Sequence, residues 1–82
     1  MKIIEVAKLE SVKNPHNVDV RKVFESSDTA AVVITLKPGQ SLKKHVTPVD
    51  VLFYVLEGTG IVEIGDERQV VDKDVAVESP AM

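Results

Sequence analysis

Short apolar segments separated by turn residues set the pattern of this chain. Residues 2–7 are apolar and β-branched and predict a first strand. Residues 8–13 fit either a helical turn or a loop. Asn14, Pro15, His16 and Asn17 form a turn by composition. Residues 18–25 predict a second strand, with Val18 and Val20 on one face and Asp19 and Arg21 on the other. Val23-Phe24 breaks its strict alternation. After a turn at Ser26, Ser27 and Asp28, residues 29–36 (TAAVVITL) are apolar on both parities. That run predicts a central strand buried on both faces. Lys37-Pro38-Gly39-Gln40 fits a type II turn, with proline presetting one corner and glycine supplying positive φ at the next.

The middle of the chain, from Pro38 to Gly65, organises the rest. His45 and Thr47 follow the Pro-Gly turn, and residues 51–56 (VLFYVL) form an unbroken apolar run. If His45 and Thr47 point inward, period two places Val51, Phe53 and Val55 inward as well. Leu52, Tyr54 and Leu56 then face outward and need covering, by the N-terminal strand or, better, by a partner subunit. Hairpin loops are expected at Gly58-Thr59-Gly60 and at Gly65-Asp66-Glu67. Residues 61–64, 68–72 and 75–77 supply further short strands, the last two separated by a turn at Asp72-Lys73-Asp74.

Composition points the same way. The chain has 82 residues, which implies one domain spanning 1–82. It has no cysteine, so neither a disulfide nor a thiolate metal site is open to it. A domain this small is marginal alone and draws stability from its core, a metal or a partner. The hydrophobic fraction is 44%, rich in valine and poor in aromatics, which favours an all-β fold. Short strands with regular turn signals indicate a β-sandwich or barrel.

Charge narrows the function classes. The net charge is −3, no basic stripe is present and Trp is absent, which disfavours nucleic-acid binding. No apolar run approaches the length of a membrane span. The first ten residues, MKIIEVAKLE, carry charges through their apolar part, unlike a signal peptide, so the expected location is cytoplasmic. His16 reads as a solvated loop imidazole rather than a ligand, because no second ligand-type residue stands at strand or helix spacing from it.

The central stretch resembles the first motif of the cupin superfamily, G-x5-H-x-H-x3,4-E-x6-G. Gly39 matches the opening glycine, His45 the first histidine and Gly58 the closing glycine, with FYVLEG (53–58) between. The resemblance implies a cupin-like jelly roll or β-sandwich barrel. It also implies, where a metal is present, a single divalent transition metal held by two histidines and a glutamate of this motif and a histidine of a second. Here the second histidine position is Thr47 and the glutamate position is Val51. His45 is the one first-motif ligand left. Asp50, one place before the lost glutamate, could substitute if Pro48 shifts the register, although parity turns it outward. In the second motif Lys73 replaces the glycine, Asp74 keeps the following aspartate and Pro80 lies one residue late. The second-motif histidine would fall beyond Met82, so the chain reads as a cupin short of its final strands, incomplete at its C-terminus.

Several expectations follow. The barrel holds a small ligand, with Thr47, Val51, Phe53 and Val55 lining the pocket, a degenerate metal site and no catalysis of its own. Alternatively the chain is a metal-dependent enzyme of the oxygenase or isomerase type, built on His45, Asp50 and a downstream histidine. A structural dimerisation module is the third reading. No catalytic residue can be named. A missing set of strands leaves a sheet edge open, which predicts a homodimer, with strand exchange possible.

Overall fold

A computed structural model describes residues 1–42 and 48–81. They fall in two compact units, Met1–Lys44 and His45–Met82. The chain is all-β, with six strands and one 3-10 turn among the described residues. No helix among them is long and apolar enough to cross a membrane.

In the first unit, strand β1 (Asp19–Glu25) pairs antiparallel with β2 (Ala30–Thr35). The register shifts between Lys22 and Phe24, a bulge at the position where alternation breaks in the sequence. The bulge returns Phe24 to the face that carries Arg21, and Lys22 and Glu25 share the opposite face, where they form an ion pair of 3.0 Å. Ser26 closes the hairpin. Its hydroxyl accepts from the amides of Asp28 and Thr29, and its own amide donates to the Thr29 carbonyl at 2.7 Å. The expectation that β2 is buried on both faces is not met. Among the described residues it pairs with β1 alone, and Val33 and Ile34 are half-buried while its other positions are exposed. An apolar run on both parities satisfies a central strand, but it does not itself provide the second neighbour.

Residues 2–7 do not form the expected strand. Val6–Lys8 is a 3-10 turn, with Lys8 N–H donating to Glu5 and Leu9 N–H to Val6. Two local terms favour it over an extended segment. Glu5 and Lys8 stand three apart, where 3-10 side chains eclipse, and form an ion pair of 2.7 Å. The Arg21 guanidinium, held by Asp19 at 3.2 Å, donates to the carbonyls of Val6 and Ala7 at 3.1 and 2.9 Å. Those carbonyls are thus committed to a side chain rather than to a neighbouring strand.

Asn14 organises the loop that leads into β1. Its side-chain oxygen accepts from the amides of His16 and Val18, and its amide nitrogen donates to the carbonyls of Val12 and Val18. Those four bonds use the full capacity of a primary amide. Asn17 closes the turn onto the Asn14 carbonyl with φ of 55°, in the left-handed region that asparagine tolerates. Val18, beside this network, is one of two buried hydrophobic side chains among the described residues.

In the second unit, β3 (Val51–Tyr54) pairs antiparallel with β6 (Ala76–Ser79), and β4 (Gly60–Ile64) with β5 (Glu67–Val71). The β3–β6 ladder continues past Tyr54, because Val55 donates to the Val75 carbonyl and accepts from Asp74 N–H. A two-residue turn, Gly65-Asp66, joins β4 to β5. Its glycine has φ of 58° and its aspartate is not left-handed, the sign pattern of a type II′ hairpin. The Pro38-Gly39 turn of the first unit also forms as expected, with Gly39 at φ 86° and Gln40 N–H on the Lys37 carbonyl. Val71, at the end of β5, is the second buried hydrophobic residue.

Asp74 is left-handed at φ 66°, a conformation that costs a non-glycine residue roughly 1 kcal/mol. Its carboxylate accepts from the Tyr54 hydroxyl at 3.0 Å. Asp74→Asn keeps both the tolerated conformation and an acceptor, and is expected to change stability by less than about 0.5 kcal/mol. Asp74→Val loses the acceptor and puts a β-branched residue at positive φ, and is expected to cost on the order of 2 kcal/mol. Asn14→Ala, which removes all four loop bonds, is expected to cost about 1–3 kcal/mol. Urea denaturation of the three variants checks these values, and a loss at Asp74→Asn matching that at Asp74→Val would contradict the conformational account.

Candidate functional site

The expected site divides between two parts of the chain. His45 and Thr47 lie outside the described residues. Asp50, Val51, Phe53 and Val55 lie within them, on and beside β3.

The register of β3 fixes which side chains share a face. Val51 stands opposite Ser79, Leu52 opposite Glu78, Phe53 opposite Val77 and Tyr54 opposite Ala76. One face of the pair therefore carries Val51, Phe53, Val77 and Ser79, and the other Leu52, Tyr54, Ala76 and Glu78. Exposure separates the two. Val51, Val77 and Ser79 are half-buried and Phe53 is 37% exposed, while Leu52 is 68% and Tyr54 54% exposed. Val55 is half-buried and Leu56 exposed, so the alternation runs on beyond the strand. The β4–β5 pair is similarly two-sided, with Val62 and Ile64 half-buried and Val71 buried on one face, and Ile61 and Val70 exposed on the other.

Asp50 is engaged in the sheet. Its Oδ1 accepts from the backbone N–H of Ala81 at 2.8 Å, just past the end of β6. With the Tyr54–Asp74 bond at the opposite end, β6 is tied to β3 by a side-chain hydrogen bond at each end. Sequence reasoning missed both ties. Each depends on which residue of a distant segment comes opposite, and for Asp50 that residue is 31 positions away.

His16 belongs to the first unit. It lies in the Asn14 loop, half-buried, with its backbone amide on the Asn14 side chain. An open cavity of about 400 Å³ adjoins the same loop, lined by Ser11, Val12, Lys13, Asn14, Asn17 and Val18. Its polar groups are largely committed to the loop's own bonds, and Ser11 Oγ accepts from Val20 N–H at 3.0 Å. The Asn-Pro pair in the sequence signals a turn there, but not the fourfold use of the asparagine amide.

Among the described residues no three His, Cys, Asp or Glu side chains come together as a metal-binding group. Comparison with known protein families matches residues 32–82 to the family described as Cupin domain. No curated protein and no solved structure matches the chain. The metal that this family implies would take its carboxylate ligand at the position of Val51, and the valine on β3 has no donor atom to give. Asp50, the carboxylate adjacent to Val51 in the chain, is hydrogen-bonded to Ala81. The residues present do not fit the family's metal. The family match covers more than half of the sequence, so the chain belongs to the cupin-domain family.

Proposed function

We propose that the domain binds a small organic ligand against the apolar strip of Val51, Phe53 and Val55, with Thr47 and His45 as its polar contacts, and that it does so without the family's metal and without catalysis. The observation that carries this reading is Val51. It replaces a carboxylate by an isopropyl group on the less exposed face of β3. A wall of valine and phenylalanine gives a ligand apolar burial, and one or two polar groups suffice to orient it. A neutral imidazole carries one donor and one acceptor nitrogen, so His45 can hydrogen-bond such a ligand in either sense.

The test is a thermal-shift screen of the purified chain against small carboxylic acids and aromatic compounds, alongside elemental analysis. The expected outcome is stabilisation by one compound class, no stoichiometric metal, and a loss of affinity of about ten-fold or more in Phe53→Ala. One equivalent of a divalent metal that disappears in His45→Ala would instead support the metal-dependent oxygenase or isomerase reading.

Asp50 separates the two readings independently. As a tie to Ala81, its replacement by alanine is expected to speed amide hydrogen exchange at Ala81, whereas Asp50→Asn, which keeps an acceptor, leaves exchange nearly unchanged. As a metal ligand, Asp50→Asn would reduce metal content, and Ala81 exchange would follow the metal rather than the side chain.

A further inference from the structure

The two outer sheet faces of the second unit differ in charge. On the β3–β6 pair, Leu52 and Tyr54 are accompanied by Glu78, and Tyr54 is bonded to Asp74. Both charges there are negative. Two copies of that face laid together would set carboxylate against carboxylate.

The outer face of the β4–β5 pair is different. Ile61 and Val70 stand directly opposite each other and are 53% and 70% exposed. In the next row Glu63 and Arg68 stand opposite each other and form an ion pair of 3.3 Å. The face thus carries an apolar row and a row with one charge of each sign, in register.

We propose that a second copy of this chain docks on the outer face of β4–β5, related by a two-fold axis that runs along the hairpin between the stacked faces. Such an axis keeps each row at its own height and exchanges the two strands. Ile61 then lies over Val70 of the partner subunit, and Glu63 lies over Arg68 of the partner subunit. Both contacts occur twice, as an isologous interface requires. The apolar row supplies burial. The charged row sets the register, because a slip or reversal would place like charges together or strand a charge over the apolar row. Within one chain the exposed Glu63–Arg68 pair is worth little by itself, so its main role becomes recognition. The proposal goes beyond ligand binding and does not rest on it.

Sedimentation velocity of the full chain, over concentrations from low to several hundred micromolar, tests the interface. The wild-type chain is expected to dimerise reversibly. Val70→Lys is expected to weaken the dimer about ten-fold or more. E63R alone and R68E alone each bring like charges together across the axis and are expected to be monomeric. An equimolar mixture of E63R and R68E chains restores both opposite-sign contacts, so dimers are expected to reappear in the mixture. Leu52→Lys, on the other outer face, is expected to leave association unchanged. Circular dichroism follows the strand content of each variant, and if Val70→Lys unfolds, the charge-exchange mixture carries the test. A wild-type chain that stays monomeric throughout, a mixture that associates no better than its components, or a dimer lost in Leu52→Lys but kept in Val70→Lys would overturn the proposal.

Discussion

The β3–β6 ladder is the constraint on which the second unit depends. Its register, Val51 opposite Ser79 through Tyr54 opposite Ala76, decides which residues share the less exposed face. A shift of one residue would send Val51 and Phe53 to the exposed side and bring Leu52 and Tyr54 in. A two-stranded ribbon holds register weakly by itself. Here side chains pin it at both ends, Asp50 to the Ala81 amide and Tyr54 to Asp74. The acidic residue that could have moved into a ligand position is thus part of what holds the strands in place.

This arrangement changes what a cupin-type strand can do. In the family pattern, a carboxylate at the position of Val51 helps hold a metal. With valine there, the same face becomes apolar, and Phe53 and Val77 extend it. On the proposed reading, binding rests on burial and a few polar contacts instead of coordination.

Much of the fold was legible in the sequence where local chemistry decides it. Pro38-Gly39 and Gly65-Asp66 announce turns that only particular φ values allow, and both form. The interruption at Val23-Phe24 appears as a bulge. What was not legible depends on partners. Residues 2–7 have strand-forming side chains, yet Arg21 takes the carbonyls of Val6 and Ala7 and a 3-10 turn results. Strand β2 has the composition of a central strand but pairs with β1 alone among the described residues. At the candidate site, period two was enough to group Val51, Phe53 and Val55 and to set Leu52 and Tyr54 apart. The bond from Asp50 to Ala81 was not accessible that way, because it needs the register between strands far apart in the chain.

The central claim is that side-chain identity at two positions, Thr47 and Val51, separates this domain from a metal-holding relative. Restoring the missing donors tests it most directly. Cobalt(II) binding, followed by visible absorption, is compared between the wild-type chain and a variant carrying Thr47→His and Val51→Glu. The account expects no saturable cobalt signal from the wild-type chain and a stoichiometric one from the double variant. Equal, saturable binding by both would contradict it.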